Sequence, residues 1–133
     1  MSSIFILAAM IFLHIIDDYV LQAPCLCDLK QKSFWEKNAP QPLYKDDYKV
    51  ALAMHAFSWS FMTMLPIAVA LNFNVDINFA AMLVINTVFH ALVDDLKANQ
   101  YKINLCADQA YHIFQIILTF TCYELGVFNA TAY

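Results

Sequence analysis

The sequence predicts an all-α fold: a four-helix transmembrane bundle with a short surface helix or loop between its first two helices. Three observations carry this. The 133 residues are 62% hydrophobic and only 14% charged, with a mean hydropathy of +0.56, whereas an ordinary soluble domain holds about 45–50% apolar and 25% charged residues. The apolar runs are far longer than strands and approach the roughly 20 residues a spanning helix needs. One glycine and four prolines leave little material for hairpin turns. Residues 1–133 therefore read as a single integral membrane domain.

The first candidate span covers residues 3–23. Residues 4–13 are unbroken apolar, and then His14, Asp17, Asp18 and Gln22 interrupt the run. Ionisable groups inside a span are expensive and turn toward protein, so this second half should face the other helices. An uncharged start, the buried-type polar residues and the lack of a small-residue cleavage site argue for a retained span and against a removed signal peptide. A polar connection, residues 24–45, follows. Within it Leu29, Phe34 and Trp35 are set among lysines over residues 28–37, which suits a short helix at the membrane surface; a solvated loop with one aromatic anchor is the alternative. Asp46 or Asp47 is the candidate N-cap of the second span, residues 47–71, in which Pro66 predicts a kink. Asp76 is placed to cap the third span, residues 77–97, and Asn104 the fourth, residues 105–128.

Charge placement gives an orientation. All seven basic residues are lysines, at positions 30, 32, 37, 45, 49, 97 and 102, and four spans put every one of them on the side of the first and third connections. The positive-inside rule makes that side cytoplasmic and both termini external, in an inner or plasma membrane. A formal net charge of −4 and the lack of any arginine argue against a nucleic-acid partner. Cys25, Cys27, Cys106 and Cys122 have no zinc-knuckle spacing and read as free thiols.

The chemistry-bearing residues recur in one pattern. His90 and Asp94 are four apart, His14 and Asp18 repeat that spacing, and Asp108 with His112 reverses it. Such pairs share a helix face one turn apart. The remaining histidine, His55, lies early in the second span. At 1.5 Å of rise per residue, all seven groups fall within about 5–11 Å of the lysine-bearing helix ends, so they occupy one layer near the cytoplasmic face.

A carboxylate beside an imidazole in a low-dielectric bundle needs either a mutual hydrogen bond or a shared metal. Three such pairs and His55 at one depth favour a metal site made of His14, Asp18, His55, His90, Asp94, Asp108 and His112. Seven ligands exceed the four or so of a single zinc, which points to two divalent ions; zinc, manganese and iron all accept this donor set. Two ions can activate a water and clamp both oxygens of a displacement, a route to phosphoester hydrolysis. Lys97, one turn past Asp94, is placed to stabilise developing charge, or else to snorkel from its helix end. Gln22 and Gln109 are candidates to orient ligands, or simply polar residues near helix ends. Asp17 could replace Asp18 as a ligand, while Asp95 reads as water-facing.

His14-x-x-x-Asp18-Tyr19-x-x-Gln22, the isolated His55, His90-x-x-x-Asp94-x-x-Lys97 and Asp108-Gln109-x-x-His112 resemble the motif set of a small, largely uncharacterised family of bacterial and phage membrane proteins. Similar membrane families are described as metal-dependent hydrolases. The resemblance implies the same seven site residues with Gln22, Lys97 and Gln109 beside them; Asp17 and Asp95 depart from it, standing where a small or apolar residue and an aromatic are usual. The expected function is hydrolysis of a phosphoester or lipid-linked headgroup at the inner face, with membrane lipid as the surrounding partner and oligomeric state open. Transport of metal ions or protons through the bundle, and a non-catalytic protein with a structural metal, are the alternatives.

Overall fold

In the computed structural model, which describes residues 2–22 and 24–128, every regular element among those residues is helical. Helix α1, Ser3–Ile16, passes directly into a π-helical turn, Asp17–Leu21; the expected end of this span at residue 23 lies outside the described residues. The π turn is wider than an α turn and shifts the register of the side chains it carries. Asp17 is buried as a result, and the Asp18 side chain is only 10% exposed.

The connection folds as two short helices, α2 (Pro24–Leu29) and α3 (Lys32–Asn38), followed by a 3-10 turn, Pro42–Tyr44. A single helix over residues 28–37 is not formed, because the chain turns at Lys30 and Gln31 and sends the Lys30 side chain inward, where it is buried. Trp35 braces the arrangement: its Nε1 donates to the Leu29 carbonyl at 2.8 Å, and its ring stacks on Tyr44.

Three long helices follow, α4 (Asp47–Ala70), α5 (Ile77–Ala98) and α6 (Leu105–Glu124). The caps read from sequence form at two of them: Asp76 accepts from the Phe79 amide and Asn104 from the Ala107 amide, each at 2.9 Å. Asp46 sits at the N-cap position of α4 but makes no capping bond; its carboxylate instead pairs with Lys49 at 2.7 Å in an exposed contact. Helix α4 continues through the buried Pro66 to Ala70, with one carbonyl a turn earlier deprived of its helical donor. Helix α6 stops at Glu124, and the single glycine of the chain, Gly126, follows at φ 73, where a side chain would be disfavoured. The Val127 amide then closes on the Cys122 carbonyl at 3.0 Å.

The helices pack as a ring in which α1 meets α4, α4 meets α5, α5 meets α6 and α6 returns to α1. Ile6, Met10, Met64, Ile67, Phe79, Ile116 and Phe128 fill its apolar part. Next comes a neutral polar layer, where Gln115 Nε2 donates to Asn86 Oδ1 and Asn86 Nδ2 to Thr119 Oγ1, both at 2.9 Å. Beyond that lie the histidines and aspartates. Large apolar side chains, among them Ile4, Phe12, Phe57, Val84, Phe114 and Leu118, point outward. Charged and polar side chains buried at one end of the bundle, with large apolar side chains on its outer face, depart from the pattern of a soluble domain and leave an apolar surface that water would not favour. The stretches Ser3–Leu21, Pro42–Ala70 and Ile77–Ala98 are long and apolar enough to cross a membrane. Helix α6 has 20 residues but is not among them; Asp108, Gln109, His112 and Gln115 interrupt it, and of these Asp108, His112 and Gln115 are buried against the other helices.

Candidate metal centre

The end of α1, the start of α4, the end of α5 and the start of α6 meet in one layer, and all seven residues singled out by spacing lie in it. The four histidines are at most 2% exposed. Asp94 is central. Its Oδ1 lies 3.5 Å from His112 Nε2 and 3.7 Å from His90 Nε2, and its Oδ2 lies 3.5 Å from His55 Nε2. His55 Nε2 is also 3.6 Å from Asp18 Oδ1 and 3.2 Å from His90 Nε2. His112 Nε2 is 3.4 Å from Asp108 Oδ1, and the His90 and His112 rings stack at 4.2 Å.

Lysines pair with two of the carboxylates, Lys30 with Asp94 and Lys97 with Asp108, each at 2.6 Å, and the carboxylate–imidazole separations bear on how the rest of the cluster is held. Hydrogen-bonded carboxylate–imidazole pairs sit at roughly 2.7–3.0 Å, and the pairs here, at 3.4–3.7 Å, are too long. A tetrahedral ion about 2.0–2.2 Å from each ligand holds its ligands roughly 3.3–3.6 Å apart, which matches. Two trios, Asp18 with His55 and His90, and His90 with Asp94 and His112, present donor atoms all within 4.8 Å of one another. Asp18 Oδ1 and Asp108 Oδ1 are buried without a hydrogen-bond partner among the described residues, which suits a cation. His90 Nε2 belongs to both trios and can serve only one ion. Asp94 turns a different oxygen to each side, Oδ1 to His90 and His112 and Oδ2 to His55.

His14 and Asp108 belong to neither trio. Trp59 Nε1 donates to His14 Nδ1 at 2.7 Å, and His14 Nε2 is 3.1 Å from Gln109 Oε1. Indole N–H can only donate, so Nδ1 accepts, Nε2 carries the proton, and both nitrogens of His14 are engaged. Gln109 Nε2 passes the effect on, donating to Asp108 Oδ2 at 3.2 Å and Asp18 Oδ2 at 3.4 Å. Gln109 thus orients two carboxylates, and His14 orients Gln109. Asp108 also accepts from Lys97 Nζ at 2.6 Å.

Asp17 lies behind His55 and does not stand in for Asp18. Its Oδ2 is 3.6 Å from His55 Nδ1, and its Oδ1 accepts from Ser58 Oγ at 2.7 Å. At that distance Asp17 and His55 share no hydrogen bond, and Asp17 Oδ2 has no partner among the described residues; the carboxylate sets a negative charge on the ring edge of His55 that faces away from the cluster. Asp95 stays at the helix end, where Asn99 and Gln100 amides donate to it at 2.8 Å each.

The layer opens at the lysine-bearing end through a small polar pocket of about 70 Å³, lined by Asp18, Gln22, Lys30, His55, Asp94, Lys97, Asp108 and Gln109 together with Tyr19 and Leu105. Gln22 lies at its rim: its amide donates to the Asp18 carbonyl at 3.1 Å and accepts from Lys30 Nζ. Lys97 projects from the other side, 39% exposed.

Residues 6–133 match a family described as "Protein of unknown function (DUF3307)". The chain belongs to this family. No curated protein and no solved structure matches it. The match covers all four motif-bearing stretches of this DUF3307 protein and brings no activity with it.

Sequence reasoning about this DUF3307 chain missed three residues that build the site. Trp59 stacks on His90 at 4.3 Å and holds His14; its spacing of one turn from His55 put it on the same face, a usable signal. Ser58 acts through Asp17. Lys30 donates to Asp94 Oδ2 at 2.6 Å, and nothing in the polar connection distinguishes it from the lysines around it.

Proposed function

We propose that this DUF3307 protein is a membrane-embedded, metal-dependent hydrolase acting on a phosphoester or lipid-linked headgroup at the cytoplasmic face of a four-helix transmembrane bundle. The observation that carries the reading is a buried set of imidazole and carboxylate donors at ligand-to-ligand spacing that opens through a polar pocket. A fully enclosed site would serve structure alone, and a pocket reaching the donors is what chemistry needs.

The membrane assignment draws on the apolar outer face and on the three apolar helices. Helix α6 is the fourth span on this reading, its polar residues turned to the other three. All lysines then lie on one side, the cytoplasmic one, with the termini opposite.

Asp18, His55 and His90 would hold one divalent ion, and Asp94, His112 and Asp108 a second. Zinc, manganese and iron all accept such donors. When bound, the ions supply Lewis acidity and a water acidified to near-neutral pKa. The chain's own residues do the rest. Gln109 fixes the carboxylates, Asp17 sets a negative charge behind His55, and Lys97 faces the pocket, placed to neutralise charge that develops on a substrate oxygen. Transport through the bundle is disfavoured because the polar layer ends at Asn86 and Thr119 and the apolar core closes beyond it.

The test is a panel of phosphomonoesters, phosphodiesters and phospholipids given to purified protein in detergent or nanodiscs. Hydrolysis that a chelator abolishes and added divalent metal restores is expected. Activity indifferent to chelation overturns the mechanism.

A further inference from the structure

Of the seven lysines, only Lys30 is buried. It comes from the turn between α2 and α3 and enters the mouth of the site, where Asp94 Oδ2 and the Gln22 amide oxygen accept from its ammonium. Burying an ammonium is unfavourable unless it is paired, so its position needs a reason. The backbone around it is fixed: Asn99 Nδ2 donates to the Lys30 carbonyl at 3.1 Å, and Asn99 Oδ1 accepts from the Lys32 amide at 2.7 Å. Only the side chain has freedom to change partners.

The oxygen that Lys30 holds is the one Asp94 turns toward His55, 3.5 Å away. A divalent ion held beside His55 would compete with the Lys30 ammonium for that oxygen. The ammonium would then have a weakened hold on its strongest partner, inside the small pocket that Lys97 also lines. Lys97, paired with Asp108 at 2.6 Å, lines the same pocket, and a released ammonium beside it makes a place for an anion that the carboxylates alone would repel.

We propose that Lys30 is the substrate-anion residue of this site: displaced from Asp94 when the ions are in place, it grips a phosphate group opposite Lys97. This rests on the metal-dependent hydrolase reading and narrows it to substrates with a phosphate carrying free anionic oxygens. Metal loading and anion binding are thereby coupled through one side chain, and Lys30 acts with opposite sign on the two ligands.

The experiment compares wild type, Lys30→Met and Lys30→Arg, each checked for helicity and a cooperative thermal transition. Manganese affinity is measured by titration calorimetry, followed by binding of inorganic phosphate to the manganese-loaded protein and, in a parallel arm, of phosphatidic acid in phosphatidylcholine nanodiscs. Wild type is expected to bind phosphate only when loaded, in whichever arm matches the source. Lys30→Met is expected to bind manganese more tightly and to lose about 10- to 100-fold in phosphate affinity, and Lys30→Arg to retain phosphate binding. Loaded Lys30→Met that binds phosphate like wild type, or loaded wild type that binds none in either arm, overturns the role of Lys30 while leaving the metal site standing. A wild type that takes up no manganese, zinc or iron removes the underlying hydrolase reading as well.

Discussion

Trp59 and His14 are joined by a 2.7 Å hydrogen bond from the indole Nε1 to the imidazole Nδ1. That bond fixes the His14 proton on Nε2, aims it at Gln109, and through Gln109 sets the orientation of Asp18 and Asp108. Trp59→Phe keeps most of the ring that packs on His90 but removes the donor. We expect a loss of about 1–3 kcal/mol in stability from the unpaired buried Nδ1, and a metal affinity lower by about 10-fold as Gln109 loses its direction. Thermal unfolding in detergent and metal titration measure the two effects. An unchanged affinity would disconnect this relay from the ions.

Asp17 and Asp18 are adjacent in sequence and opposite in role. Asp17→Asn removes a negative charge facing His55 Nδ1 and no donor of the cluster, and is expected to weaken metal binding by about 10-fold at most. Ser58→Ala, which removes only the group holding Asp17, should do less. Asp18→Asn should do more, since it removes the negative charge of a ligating carboxylate. Equal losses at Asp17 and Asp18 would make Asp17 a ligand and contradict its placement behind His55.

The native cysteines report orientation. Cys25 and Cys27 on α2 and Cys106 at the start of α6 are exposed and lie at the lysine-bearing end, while Cys122 is near the other end of α6. In a Cys122→Ala background, a membrane-impermeant maleimide is expected to label inside-out vesicles and to leave right-side-out spheroplasts unlabelled until they are lysed. Labelling of intact spheroplasts would reverse the topology and place the pocket outside.

The residues at the centre were legible because helical spacing projects directly into space. Four residues make about one turn, so His90 with Asp94 and Asp108 with His112 had to share faces, and the lysines set their common depth. The caps at Asp76 and Asn104 were legible for the same local reason. The π turn at Asp17–Leu21 was not, since an α-helical wheel puts Asp17 and Asp18 on different faces and only packing against α4 selects the wider turn. Nor was Lys30: a contact spanning 64 positions, to Asp94, leaves no trace in a connection whose lysines look alike. The supporting position of His14 was equally hidden, because it depends on Trp59 consuming one of its nitrogens.

The most direct test of the whole account is the metal content of the protein itself. Wild type purified without chelator, or reconstituted and desalted, would be analysed by inductively coupled plasma mass spectrometry beside His90→Ala and Asp94→Ala. The account predicts about one to two equivalents of zinc, manganese or iron per chain in wild type and near-complete loss in both variants while the helical content is kept. Stoichiometric metal persisting in the variants, or a wild type that holds none after reconstitution, would contradict it.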